Sequence, residues 1–262
     1  MKVAVNGWTH ENEEQYGQQI RRLFEEKLKQ AFETYGSPLE VGNRLGDVLR
    51  ELEVEAAKLV VPRSVKKHAL PENLLKWADL MADEEMLLDL RRVSTSIANT
   101  MRPLAGNKFA EWIRKVLNLA FTQQDIPIYC VTKGEIKKAL TQRLVVTSTD
   151  GNQRQDYKPD VDIVAVNEST DSPLAILSAK TTLAERVMQT IVWKRYKDER
   201  LPEELRNIRV YLVTAWEVFQ AGSVNRDRVQ ELDGTYVCNT RAACYGNIKP
   251  FSSIIEDLRA LI

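Results

Sequence analysis

Histidine occurs only twice in this chain, at His10 and His68, and cysteine only three times, at Cys130, Cys238 and Cys244. No two cysteines stand at C-x-x-C spacing, which argues against a zinc site and against a disulfide framework. Long apolar runs are missing as well, so no segment reads as a membrane span. The opening MKVAVNGWTHENEE lacks a signal-peptide profile, and a reduced, cytoplasmic protein is expected. Neither sign of charge is in excess: 37 Lys and Arg face 37 Asp and Glu, for a formal net charge of +0. That balance argues against nonspecific adhesion to polyanions but leaves room for a local basic cleft. There is no internal repeat and no low-complexity tract.

What the 262 residues do contain is a helical first part and a mixed second part. Ile20, Leu23, Phe24, Leu28 and Phe32 recur at three- and four-residue steps between Glu11 and Thr34, which predicts a helix. Tyr35-Gly36-Ser37-Pro38 breaks it. A second helix is expected over roughly Val41 to Leu59, with Leu45, Val48, Leu49 and Leu52 on one face, and a third over Glu72 to Arg92. Arg102-Pro103-Leu104-Ala105-Gly106 interrupts the pattern, and the domain boundary is placed there, giving parts 1–105 and 106–262. Lys108 to Phe121 then reads as an amphipathic helix carrying Phe109, Trp112, Ile113, Val116, Leu117 and Ala120.

A short apolar strand or loop is expected over Asp125 to Val131. Thr132-Lys-Gly-Glu135 fits a capping box opening a helix through Leu140. Arg143 to Thr149 reads as a strand ending at the turn Asp150-Gly151-Asn152. Ile208 to Thr214 reads as a buried strand, Thr235 to Cys238 as another, and a helix capped at Ser253 closes the chain. The order gives an α/β (α+β) fold: a helical N-terminal part, then a small mixed sheet flanked by helices.

Chemistry concentrates between Tyr157 and Tyr196. Lys158-Pro159-Asp160 leads into an apolar run (Val161, Ile163, Val164, Val166), a polar turn over Asn167 to Ser172, and a second apolar run ending in Ser178-Ala179-Lys180. Thr182-Leu-Ala-Glu185 then fits a capping box at the head of a helix. In the resulting hairpin Asp160 opens one strand and Lys180 ends its neighbour, so the two side chains meet at one sheet edge. A carboxylate there can hold Mg²⁺, a hard cation preferring oxygen ligands. A lysine beside it can orient the attacking water and offset charge developing on a phosphate. The competing account is a surface hairpin with an incidental Asp and Lys.

Pro159-Asp160, Ser178-Ala179-Lys180 and the Glu185-Arg186 pair together resemble the PD-(D/E)XK nucleases, and more narrowly the type II restriction endonucleases that cut CCGG- or CCNGG-type sites. The resemblance covers about forty residues firmly. It implies a PD-(D/E)XK core, and the apolar faces of the helical N-terminal part read as core or dimer contacts, with DNA contacts as the alternative. It also implies a homodimer on double-stranded DNA at a short GC-centred palindrome, with Mg²⁺ as cofactor. Asp160 would bind metal and Lys180 would position water, with Ser178 standing where other members carry an acid. Arg186 would donate to guanine and Glu185 accept from cytosine, a sound pairing chemically. Two places depart from the pattern. Ala184 stands where an arginine is common, and Trp193 where a second metal-binding glutamate is common. Glu111, on the helix ahead of the hairpin, is the candidate for the missing acid, with a solvated helix carboxylate as the alternative.

Gln189 shares that recognition helix, and Lys194, Arg195, Tyr196 and Lys197 end it. That basic cluster suits a helix C-terminus and also suits phosphate contacts. Two other functions stay open on the residues alone: a structure-directed or repair nuclease of the same fold, and a non-catalytic DNA-binding module.

Overall fold

The computed structural model describes residues 10–65, 105–106, 108–150, 153–181, 186–215, 219 and 223–262. The chain forms two compact units, residues 1–30 with 48–105, and residues 31–47 with 106–262. The third expected helix, Glu72 to Arg92, lies outside the described residues.

Helix α1 (His10–Tyr35) and helix α2 (Pro38–Val65) follow the apolar spacing of the sequence. Ile20, Phe24 and Leu28 are buried along α1, and Val41, Leu45, Val48, Leu49, Leu52 and Ala56 along α2. The break between them has a local cause. Gly36 adopts φ 69° and its N–H caps the carbonyl of Phe32 at 2.9 Å, the left-handed close that glycine makes at little steric cost. Pro38 then sits at the first helical position, where its missing N–H leaves no bond unmade.

The larger unit is built on a six-stranded mixed sheet. Its strands are β1 (Ile128–Val131), β4 (Ile163–Asn167), β5 (Pro173–Lys180), β6 (Arg209–Thr214), β7 (Gly234–Val237) and β8 (Ile248–Pro250), in the order β1-β4-β5-β6-β7-β8. The β1/β4 and β4/β5 pairs are antiparallel and the rest are parallel. Between β1 and β4 in sequence lies a separate two-stranded ribbon, β2 (Val146–Asp150) with β3 (Gln153–Tyr157). The ribbon is pinned at its base, where Val146 is buried and Tyr157 packs its ring 4.7 Å from that of Tyr196.

One face of the sheet is covered by helix α5 (Arg186–Arg200), whose Val187, Ile191 and Trp193 join Val164, Ile176, Val210 and Leu212 in a single apolar cluster. Helix α3, residues 108–123, buries Phe109, Trp112, Ile113, Val116, Leu117 and Ala120, as its spacing predicts. Asn118 fastens α3 to β1: its amide donates to the carbonyl of Cys130 and accepts from the Cys130 N–H, at 3.1 and 2.7 Å. Burial pushes the Cys130 thiol up to about 12, so it is an inert core group.

Helix α4 (Glu135–Arg143) starts differently from its expected capping box. Gly134, at φ 106°, takes the N-cap position, and no side chain caps the helix. A short helix, α6 (Glu203–Arg206), precedes β6. The first turns of α2 press flat against the ends of β6 and β7. Gly46 donates its N–H to the carbonyl of Cys238 at 2.8 Å. A Cβ at Gly46 would stand 2.0 Å from the carbonyl oxygen of Ala215, so only glycine allows this approach.

Candidate active site

Asp160 lies just before β4, and Lys180 is the last residue of β5. The antiparallel register pairs Ile163 with Leu177, and its continuation sets residue 160 opposite residue 180. The Lys180 ammonium is 2.8 Å from Oδ2 of Asp160 and 2.7 Å from Oδ2 of Asp162. Its side chain is only 8% exposed, whereas those of Asp160 and Asp162 are 35% and 27% exposed. The lysine therefore sits at the floor, with two carboxylates between it and solvent.

Asp162, which reading the sequence missed, joins the same cluster. Its Oδ2 also accepts the Ala179 N–H at 2.8 Å, and its own N–H donates to the carbonyl of Leu177 at 3.1 Å. A sequence signal existed, because Asp160 and Asp162 stand two apart, the spacing at which residues of a strand share a face, although the structure places both just before β4. Lys137, from α4, was missed as well. Its ammonium donates to the carbonyls of Thr132 and Asp162, at 3.1 and 3.0 Å. Burial lowers its pKa, the charges of Asp162 and Asp160 work the other way, and Lys180 lowers it further. All four charged groups are thus in electrostatic reach of one another.

The remaining expected residues fall into distinct places. Ser178 is buried on β5, and its hydroxyl has no hydrogen-bond partner. Glu111 lies on α3 and pairs with Arg114 at 3.6 Å, one helical turn on. Among the described residues no three His, Cys, Asp or Glu side chains form a metal-holding group. Glu185 lies outside the described residues, and Arg186 is the first residue of α5. Gln189 is exposed on that helix. Lys194 pairs with Asp198 at 2.7 Å, and Arg195 makes two bonds to Glu231, at 2.6 and 2.7 Å. Lys197, expected in the same basic cluster, is instead a buried structural cation bonded to the carbonyls of Arg206 and Ile208. Trp193 is buried too and donates its indole N–H to the Leu144 carbonyl at 3.0 Å, so this position packs the core.

Two carboxylates whose oxygens converge on one cation form a donor set that fits a hard divalent ion, with water completing its shell. The described residues include no helix long and apolar enough to cross a membrane.

Residues 133–257 match the family model described as BsaWI restriction endonuclease type 2. Among solved structures, the chain resembles one described as a pre-specific restriction endonuclease BsaWI–DNA complex. That likeness has 11% identity and a TM-score of 0.45, over 94% of this chain and 92% of the other. It also resembles a restriction endonuclease PspGI–substrate DNA complex, at 14% identity and a TM-score of 0.37, over 91% and 92%. Similarity at that level adds nothing to the family match. No curated protein sequence matches the chain. The matched segment, just under half of the chain, contains Lys137, Asp160, Asp162 and Lys180, so the residues that converge at the sheet edge lie within the stretch similar to that family.

Proposed function

We propose that this protein is a site-specific deoxyribonuclease, a Mg²⁺-dependent type II restriction enzyme acting as a homodimer on a short palindrome with a GC-centred, CCGG-like core. The observation that carries the proposal is the convergence of Asp160 and Asp162 on Lys180, within 2.8 Å of its ammonium. When bound, Mg²⁺ would polarise the scissile phosphate and lower the pKa of a coordinated water. Asp160 and Asp162 are the residues to hold it. Lys180, released from its two carboxylates, orients the water and balances charge on the phosphate. Ser178 lines the site, and Glu111 is a proposed further contributor from α3.

Base reading is assigned to the head of α5. Arg186 suits a bidentate bond to guanine, and Glu185 suits the cytosine amino group. Gln189 follows on the same helix. Lys194 and Arg195 can serve as phosphate contacts only by giving up their present carboxylate partners. A two-fold site is matched by a two-fold protein, which is the reason for proposing a homodimer.

The test is digestion of a fully sequenced phage DNA with Mg²⁺, wild type beside Asp160→Ala. Discrete bands that vanish in the variant support the reading and give the site by mapping their ends. A smear, or preference for branched substrates, would assign the chemistry to structure-directed cleavage instead.

A further inference from the structure

Strands β1 and β4 pair as far as Val131 opposite Val164. That is the last pair of the β1/β4 ladder, and Thr132 and Asp162 lie just past it. Lys137 reaches from α4, a helix outside the sheet, and donates to both carbonyls at 3.1 and 3.0 Å. One ammonium thus bolts two strand ends together at the place where fraying would begin. It does so at the residue whose side chain grips Lys180. With this bond the backbone of Asp162 is fixed on both sides, by Leu177 through its N–H and by Lys137 through its carbonyl. Its carboxylate is fixed by Ala179 and Lys180. Asp160, two residues upstream, inherits that placement.

We propose that Lys137 is a positioning residue for the metal-holding carboxylates, acting through the Asp162 backbone; the inference rests on the reading of Asp160 and Asp162 as ligands. Two effects of Lys137 on a bound cation oppose each other. As a like charge nearby, the ammonium repels the metal. As a strut, it holds the carboxylates at the spacing the metal needs. The sign of the change on removing it separates the two. Loss of a repelling charge tightens metal binding, whereas loss of an orienting partner behind a ligand weakens it, by about 10–100-fold in typical sites.

The experiment is calorimetric titration of the full-length protein with Mn²⁺, comparing wild type, Lys137→Met, Lys137→Gln and Lys138→Met. Lys138 is the exposed neighbour on the same helix, paired with Glu135 at 3.9 Å. The expected result is weaker binding, by about tenfold or more, in both Lys137 variants and unchanged binding in Lys138→Met. Equal or tighter binding in the Lys137 variants overturns the proposal, as does a wild type that binds no Mn²⁺. Lys137→Gln, polar but too short to reach both carbonyls, decides the matter if Lys137→Met does not fold. The measurement needs no cleavage, so a wild type that binds Mn²⁺ but cuts no DNA defeats the nuclease reading and leaves this test intact.

Discussion

Two of the lysine–aspartate clusters among the described residues are opposite in chemistry although alike in composition. In the first, Lys180 is buried at the end of β5 and, among the described residues, its ammonium meets the carboxylates of Asp160 and Asp162. In the second, Lys197 is buried near the end of α5 and meets the carbonyls of Arg206 and Ile208 together with Asp198. Burial does not distinguish them. The acceptors do. Carbonyls of a folded backbone have nowhere else to turn, so Lys197 is committed to holding α5 against the segment leading into β6. Carboxylates at a partly open edge can be handed to another cation, so Lys180 keeps a partner set that can be rearranged during a reaction.

The comparison breaks most visibly at Lys180. Lys180→Ala should lower the rate of cleavage by about 10²–10⁴-fold, the usual contribution of a positioned proton-transfer group. Binding of the same DNA, measured by gel shift in Ca²⁺, should be little changed. Retained cleavage would remove the lysine from the chemistry and make the two clusters equivalent.

Lys197→Ala should do the reverse. It strands two carbonyls, each costing about 1–3 kcal/mol if left buried and unpaired, while cleavage per folded molecule stays at the wild-type rate. Urea unfolding reads the first effect and single-turnover cleavage the second. A loss of rate without loss of stability would contradict the structural role.

The smallest effect is expected at Asp198. Burial raises its pKa, but hydrogen bonds from Lys194 and Lys197 outweigh this and leave it below the ordinary value of 3.8. A depressed carboxylate contributes stability above its unfolded pKa and loses it as pH falls through its folded pKa. Asp198→Asn should therefore be less stable than wild type at neutral pH, with the difference fading below pH 3.8. The side chain is 42% exposed, so screening keeps the effect modest. Denaturant midpoints for the two proteins across that range check it; a gap that persists at the acid end would assign the loss to packing.

How much of this was legible in the chain follows the range of each interaction. Helices α1, α2 and α3 were readable because their apolar residues repeat locally, and so was the glycine that ends α1. The pairing of Asp160 with Lys180 was readable because a hairpin brings residues together by a rule of alternation. Asp162 obeys the same rule and was overlooked beside the more familiar Pro-Asp. Lys137 was not legible, since nothing in its own helix says that it will reach the carbonyl of a residue 25 positions away. The same is true of Trp193 and Lys197, whose partners become neighbours only after α5 docks on the sheet. The expected capping box at Thr132 failed because Gly134, free to take a positive φ, starts the helix with no side chain.

The flat contact at Gly46 has a consequence for how the chain is made. The segment 31–47 belongs to the same compact unit as the sheet, and Asn43 waits for the N–H of Ser252, 209 residues later. At a synthesis rate of ~5–20 residues per second, that wait lasts on the order of 10–40 s. Through that interval the segment 31–47 leaves the ribosome with Val41 and Leu45 uncovered and no sheet to pack on. A nascent chain in this state is one that a chaperone would be expected to hold.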